Sequence, residues 1–245
     1  MHTITIVLTC ALVMMVIEAM QPGRTFPKVA YWYARALSLS AIQALWLLTI
    51  GDVANSVIQA HRLCEFPIKT SAVAVLVGYL SHSLVFYWWH RLRHASPLLW
   101  RWVHQMHHSP QRLEAATTFY KHPLESGLNV ILTSLVLFGL VGLAPEDAAQ
   151  ASLIAGLADL FCHWNVNTPK WVGFFIQRPE AHCVHHEEGL HAYNYGDLPV
   201  IDWLFGTMRD PDHWKKTCGL GPANELRFTD MLVGVDVSQP EHTAG

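Results

Sequence analysis

The chain has 245 residues, of which 51% are hydrophobic and only 14% charged, where a soluble domain usually carries about 25% charged residues. That balance points to a membrane, while a net charge of −3 without a clustered basic face excludes a nucleic-acid footprint. The five cysteines, Cys10, Cys64, Cys162, Cys183 and Cys218, are scattered without any CxxC spacing, so they are read as structural or incidental rather than as disulfides or thiolate ligands.

Five apolar stretches follow one another. Residues 3–20 reach spanning length for a helix rising about 1.5 Å per residue. No Lys or Arg precedes Arg24, which predicts a retained span rather than a cleaved signal peptide. Residues 36–60 form the second stretch, in which Asp52 is expected to face other helices rather than lipid. The third, 71–89, ends in an aromatic run suited to the headgroup level and leads directly into HRLRH. The fourth and fifth, 126–143 and 148–164, are separated only by LAPED and read as a helical hairpin.

Basic residues set the orientation. Arg24, Lys28 and Arg35 precede the second stretch, and Arg91, Arg93, Arg101, Arg112 and Lys121 follow the third. Both loops are therefore expected in the cytoplasm, with the N-terminus outside and the C-terminus inside. The expected fold is all-α: a polytopic membrane helical bundle with a cytoplasmic, histidine-rich metal-binding cap. Residues 1–70 would hold the N-terminal helices, 71–210 the catalytic unit and 211–245 a cytoplasmic tail.

Sixteen histidines are present, and eight of them fall in three short runs. HRLRH offers His90 and His94, HQMHH offers His104, His107 and His108, and HCVHH offers His182, His185 and His186. Spacings of three or four place the members of a run on one helix face, which makes each run a chelating surface. One metal takes about four to six ligands, so the supply fits two. Imidazole suits Zn, Cu, Fe and Ni alike. The runs begin where an apolar stretch ends, so a redox metal held there could attack an unactivated C–H bond of a lipid entering from the bilayer. Zinc, without redox chemistry, could not. His2, His213 and His242 are expected to be merely exposed, His61 interfacial, and His82 a satisfied core histidine. Two other classes compete: a metal transporter, which would need ligands at the bilayer midplane, and a bis-histidine haem carrier, for which His82 with His163 is the one candidate pair.

The order HRLRH, LLWRWVHQMHHSP, KHPLE, FCHWN, HCVHH and NYGDLPVIDWLFGT, spread over residues 82–210, resembles the fatty acid hydroxylase and sterol desaturase superfamily. The resemblance implies an integral membrane enzyme that uses two iron ions and O2 to hydroxylate or desaturate an apolar lipid such as a sterol, a fatty acyl lipid or a carotenoid, with zinc able to take the same ligands. It assigns the metal to His90, His94, His104, His107, His108, His163, His182, His185 and His186. Asp159 stands where some members carry a further histidine and would either ligate or hold His163 in place. Ser83 stands where an acid is common. His122, before the helix-breaking Pro123, is expected to be structural or supporting, and His191 to hydrogen-bond a ligand or line the substrate mouth. Asn194, Tyr195 and Gly196 would form a turn closing the site. Nothing resembles a flavin or nicotinamide fingerprint, since CGLGPA at 218–223 follows no strand. Electrons would therefore come from a separate cytochrome b5-, ferredoxin- or rubredoxin-like protein, for which Arg91, Arg93, Arg101, Lys215 and Lys216 offer a basic docking face or, equally, anchors for anionic headgroups.

Overall fold

The computed structural model describes residues 2–239, and within them helices and turns form the whole architecture, with no strand. His242 and the side chain of His2 lie outside what is described. Five long helices coincide with the five apolar stretches: α1 (His2–Met20), α2 (Trp32–Ala60), α3 (Ala72–Ala95), then, after the short segment α4, α5 (Pro123–Ser134, continuing in π form over Leu135–Leu140) and α6 (Pro145–His163). α4 runs through Pro97–Leu99, a π-helical turn Trp100–His104 and Gln105–His108. Two short helices, α7 (Pro179–His185) and α8 (Pro199–Leu204), complete the cap.

Local chemistry fixes the starts of these helices. Ser71 accepts the Ala74 N–H at 3.1 Å to open α3, and Ser96 accepts the Leu99 N–H at 3.3 Å to open α4. Proline occupies the first turn of α4, α5, α6, α7 and α8, where its missing N–H costs nothing. The expected hairpin between α5 and α6 closes through Gly142, whose φ of 73° is available to glycine at little cost.

The expectation of five spans is narrowed. Three helices, α2, α3 and α5 with its π extension, are long and apolar enough to cross a membrane. α1 offers only the shorter apolar segment Ile4–Met20, and α6 opens on Glu146 and Asp147 and carries Asp159. The outward faces are apolar: Leu37, Leu48, Val53 and Val57 of α2 and Leu76 and Leu80 of α3 are all exposed, which suits hydrocarbon rather than water.

α2 packs along α5, and α6 packs between α1 and α3. A core of Trp32, Ala36, Leu39, Met106 and Tyr120 is completed by Met231 and Val237 from the last part of the chain. Residues 211–239 thus fold back over the second histidine run: Arg35 donates to Glu225 at 2.9 Å, and the Val237 N–H donates to Gln105 Oε1 at 3.1 Å.

Candidate metal centre

The histidine runs sit where helices end. His90 and His94 lie on the last turns of α3, His163 is the last residue of α6, and the other two runs occupy α4 and α7. The π-helical turn Trp100–His104 carries an extra residue per turn and resets the angle at which the second run meets α3.

These nine imidazoles divide into two groups whose ligand atoms all lie within 4.8 Å of one another: His90, His94, His104, His108 and His185 in one, His107, His163, His182 and His186 in the other. The division runs through the runs themselves. His104 and His108 of HQMHH face the first group and His107 the second, while His182 and His186 of HCVHH face the second and His185 the first. The expectation that each HxxHH run forms a single chelating face is corrected. At about 100° per residue, positions four apart diverge by only about 40°, whereas adjacent positions diverge by about 100°. Each run therefore straddles both groups.

The outward nitrogens are held. His90 Nδ1 donates to the Tyr195 carbonyl at 2.8 Å and His185 Nδ1 to the Tyr193 carbonyl at 2.7 Å. His104 Nδ1 donates to Glu125 Oε1 at 3.0 Å, His182 Nδ1 to Gln177 Oε1 at 2.6 Å, and His163 Nδ1 to the Asp159 carbonyl at 2.7 Å. With Nδ1 carrying the proton, Nε2 is left as a bare lone pair. These lone pairs point at one another: His185 to His90 at 2.9 Å, His182 to His163 at 3.1 Å, and His186 to His182 at 3.2 Å. His94 Nε2 is buried with no hydrogen-bond partner among the described residues. Facing lone pairs cannot bond each other, so the arrangement fits cations held between them.

Burial is the largest influence on these rings. It holds His104, His107, His108, His182 and His186 well below the usual histidine range, reinforced by Arg93 for His104 and by His186 for His108, and it lowers His185 to about 3. Neutral imidazole is the form that ligates metal.

The supporting residues are placed as follows. Asp159 pairs with Lys121 at 2.8 Å through one oxygen and approaches His163 Nδ1 at 3.3 Å through the other. His122 stands outside both groups; its Nδ1 accepts the Leu124 N–H at 3.0 Å and caps α5. His191, at φ 42°, places Nδ1 at 3.2 Å from His108 Nδ1 and lies beside Trp100. His82 bonds Thr133 Oγ1 at 3.2 Å and stacks on Phe86. The NYG turn is tied from beneath by Asp202, which accepts the N–H groups of Tyr195 and Gly196 at 2.9 and 2.8 Å. Tyr193 and Asn194, at φ 68° and 49°, hold the strained backbone that aims the two carbonyls at His185 and His90. One member of the basic face is corrected: Arg93 is buried and paired with Glu125, so it cannot present charge at the surface. Sequence reasoning passed over Glu125, Gln177 and Asp202; the available signal was a lone acid or amide in an apolar setting close to a histidine run.

A cavity of about 630 Å³ opens beside both groups, reached by His90 and His104 of the first and His107, His163 and His182 of the second at one end and running between α1, α2, α3, α5 and α6. Its size is that of a small-molecule or lipid-chain pocket.

A fatty acid hydroxylase family model matches residues 75–207, more than half of the chain. Very-long-chain aldehyde decarbonylase GL1-9 of Oryza sativa subsp. japonica is 26% identical over 173 residues, covering 69% of this chain and 65% of that protein. Sphinganine C4-monooxygenase 2 of Arabidopsis thaliana is 24% identical over 171 residues, 68% of this chain and 66% of its own. Delta(7)-sterol-C5(6)-desaturase of Nicotiana tabacum is 28% identical over 132 residues, 51% and 45% respectively. The chain thus spans two thirds or less of the length of these relatives. No solved structure matches it. With the histidine runs, the NYG turn and the Asp202 brace all inside the matched region, the chain belongs to the fatty acid hydroxylase family.

Proposed function

We propose that the protein is an integral membrane, non-haem di-iron oxygenase that hydroxylates or desaturates a C–H bond of an apolar lipid, using O2 and electrons from a separate carrier. The observation that carries this reading is the convergence of nine imidazoles, in groups of five and four, beside a cavity that descends between apolar helices. Relatives named for sphinganine, sterol and fatty acid chemistry support a lipid substrate.

His90, His94, His104, His108 and His185 would hold one iron, and His107, His163, His182 and His186 the other. A bound iron pair would supply O2 activation. The chain supplies the rest. Tyr193 and Tyr195 carbonyls, Glu125 and Gln177 fix the ligand tautomers. Asp159 and Lys121, both lining the cavity, pair with one another at its histidine end. The buried ligands and the surrounding helices exclude bulk water from the place where the carbon must sit. The basic residues near the histidine side argue for a cytoplasmic site. Arg91, Arg101, Lys215 and Lys216 remain as the docking face for an acidic electron carrier.

The test is metal content per chain after expression in iron-replete medium, coupled to O2 uptake with a chemical reductant. Two irons and reductant-dependent uptake are expected. Tightly held zinc alone, with no uptake after reconstitution with iron, overturns the reading.

A further inference from the structure

One face of the cap is apolar where a water-facing surface would be polar. Between α6 and α7 the chain makes a 3-10 turn, Lys170–Phe174, in which Gly173 is buried. A Cβ at Gly173 would meet Asp210 Oδ2 at 2.8 Å and Arg178 Cδ at 3.0 Å, so the turn lies flat on that ion pair. Trp171, Phe174 and Phe175 are left on the outside, Phe175 with 71% of its surface exposed. α8 is two-sided: Ile201 and Asp202 are buried, while Val200, Trp203 and Leu204 are exposed, the last at 75%. Asp202, the one charged residue of α8, is on the buried side. Phe174 and Trp203 join the two groups, with 5.9 Å between ring centroids.

The patch continues a surface that already suits hydrocarbon. Val73, Leu76, Leu80, Leu84 and Trp88 recur every three or four residues along α3 and are all exposed, which makes them one outward stripe. Trp88 ends it. There the Phe205 ring, directly after α8, packs on Trp88 at 4.8 Å and on Tyr87 at 5.2 Å. Between Ala72 and Trp88 the helix axis advances about 24 Å, within the thickness of about 30 Å of a hydrocarbon core. α8 therefore sits beside α3 at the level where hydrocarbon gives way to headgroups. The edge of the patch is charged, since Lys170 pairs with Asp210 at 3.2 Å and with Asp212 at 3.3 Å. Aromatic and aliphatic side chains with ionic ones at the margin compose an interfacial anchor.

We propose that Trp171, Phe174, Phe175, Val200, Trp203 and Leu204 seat the cap in the boundary between headgroups and acyl chains, a membrane contact additional to the spans. The partner is a lipid surface. The inner side of α8 carries Asp202, which ties the turn whose carbonyls hold His90 and His185, so the seat lies one short helix away from the metal groups. The seat requires α3 to cross the membrane and is independent of the oxygenase reading.

The experiment places nitroxide spin labels at single new cysteines, Phe175→Cys, Leu204→Cys, Leu80→Cys and Glu188→Cys, in the full chain carrying Cys10→Ser and Cys64→Ser, so that only the buried cysteines remain beside each label. All four positions are exposed, so the fold is expected to hold. With one chain per nanodisc, power-saturation EPR compares collisions with O2, which concentrates in lipid, against collisions with a water-soluble nickel chelate. The labels at 80 and 188 calibrate lipid and water. The labels at 175 and 204 are expected about 5–10 Å below the phosphates, rich in O2 collisions and poor in nickel collisions. A label at either position as open to nickel as the one at 188 overturns the proposal, and a lipid-shielded label at 80 then leaves the span standing. Shielding from nickel without enrichment in O2 is cover by protein and also overturns it. A label at 80 in water removes the span and the seat together.

Discussion

Glu125, fully buried near the start of α5, accepts the Nδ1 proton of His104 at 3.0 Å and also receives Arg93 from α3. The carboxylate does two things at once. It selects the His104 tautomer with Nε2 free, and it neutralises a guanidinium whose one ion pair among the described residues is with this carboxylate. Glu125→Gln should keep the shape but weaken the grip on His104, lowering metal affinity by about 10- to 100-fold in chelator competition. Glu125→Ala should add a loss of about 3–5 kcal/mol in stability, because Arg93 stays buried and unpaired. Unchanged metal affinity in Glu125→Gln would show that the tautomer is fixed without the carboxylate.

Asp159 stands outside the two imidazole groups, with one oxygen on Lys121 and the other toward His163 Nδ1, and it clusters with Cys162 and His163 within 4.8 Å. His163 Nδ1 also has the closer Asp159 carbonyl at 2.7 Å, which a side-chain change leaves in place. Asp159→Asn is therefore expected to keep the full metal count. A drop from two ions to one would identify the carboxylate as a ligand instead.

The histidine clusters were legible because residues four apart on a helix share a face and are close in sequence: His90 with His94, His104 with His108, His182 with His186. The division of HQMHH and HCVHH between two groups was not, since it depends on how α4 and α7 face each other. The braces were hidden for the same reason. Tyr195 reaches His90 across 105 residues and Glu125 reaches His104 across 21, separations that no local pattern encodes. The π-helical turn in Trp100–His104 has no composition that marks it. Asp52 was readable as a misfit in an apolar helix, but the expectation that it faces other helices is corrected: it is exposed on α2.

Asp202 binds the NYG turn through two backbone N–H groups and takes the Thr207 hydroxyl at 2.7 Å. Asp202→Ala would strand those buried donors, at about 1–3 kcal/mol each, and loosen the Tyr195 carbonyl that holds His90. The expected result is a lower midpoint of denaturant unfolding together with faster metal loss to a chelator. Asp202→Asn, which keeps one acceptor oxygen, should fall between. Loss of stability with unaltered metal retention would mean that the turn does not position His90.

Neighbouring histidines should respond oppositely to the same substitution. The first group has five imidazoles and the second four, so removing one leaves four in the first case and three in the second. Four nitrogen ligands satisfy a metal at the lower end of its usual number, and three do not in a site from which water is excluded. His185→Ala is therefore expected to retain two ions with weakened binding, and His186→Ala, one residue further on, to lose one. The same contrast should separate His108→Ala from His107→Ala. Metal counting on the purified variants, with helicity checked by circular dichroism, decides it: equal stoichiometry across all four would mean that the two groups are not separate sites, whereas the alternating pattern would trace the 100° turn of the helix through the metal count itself.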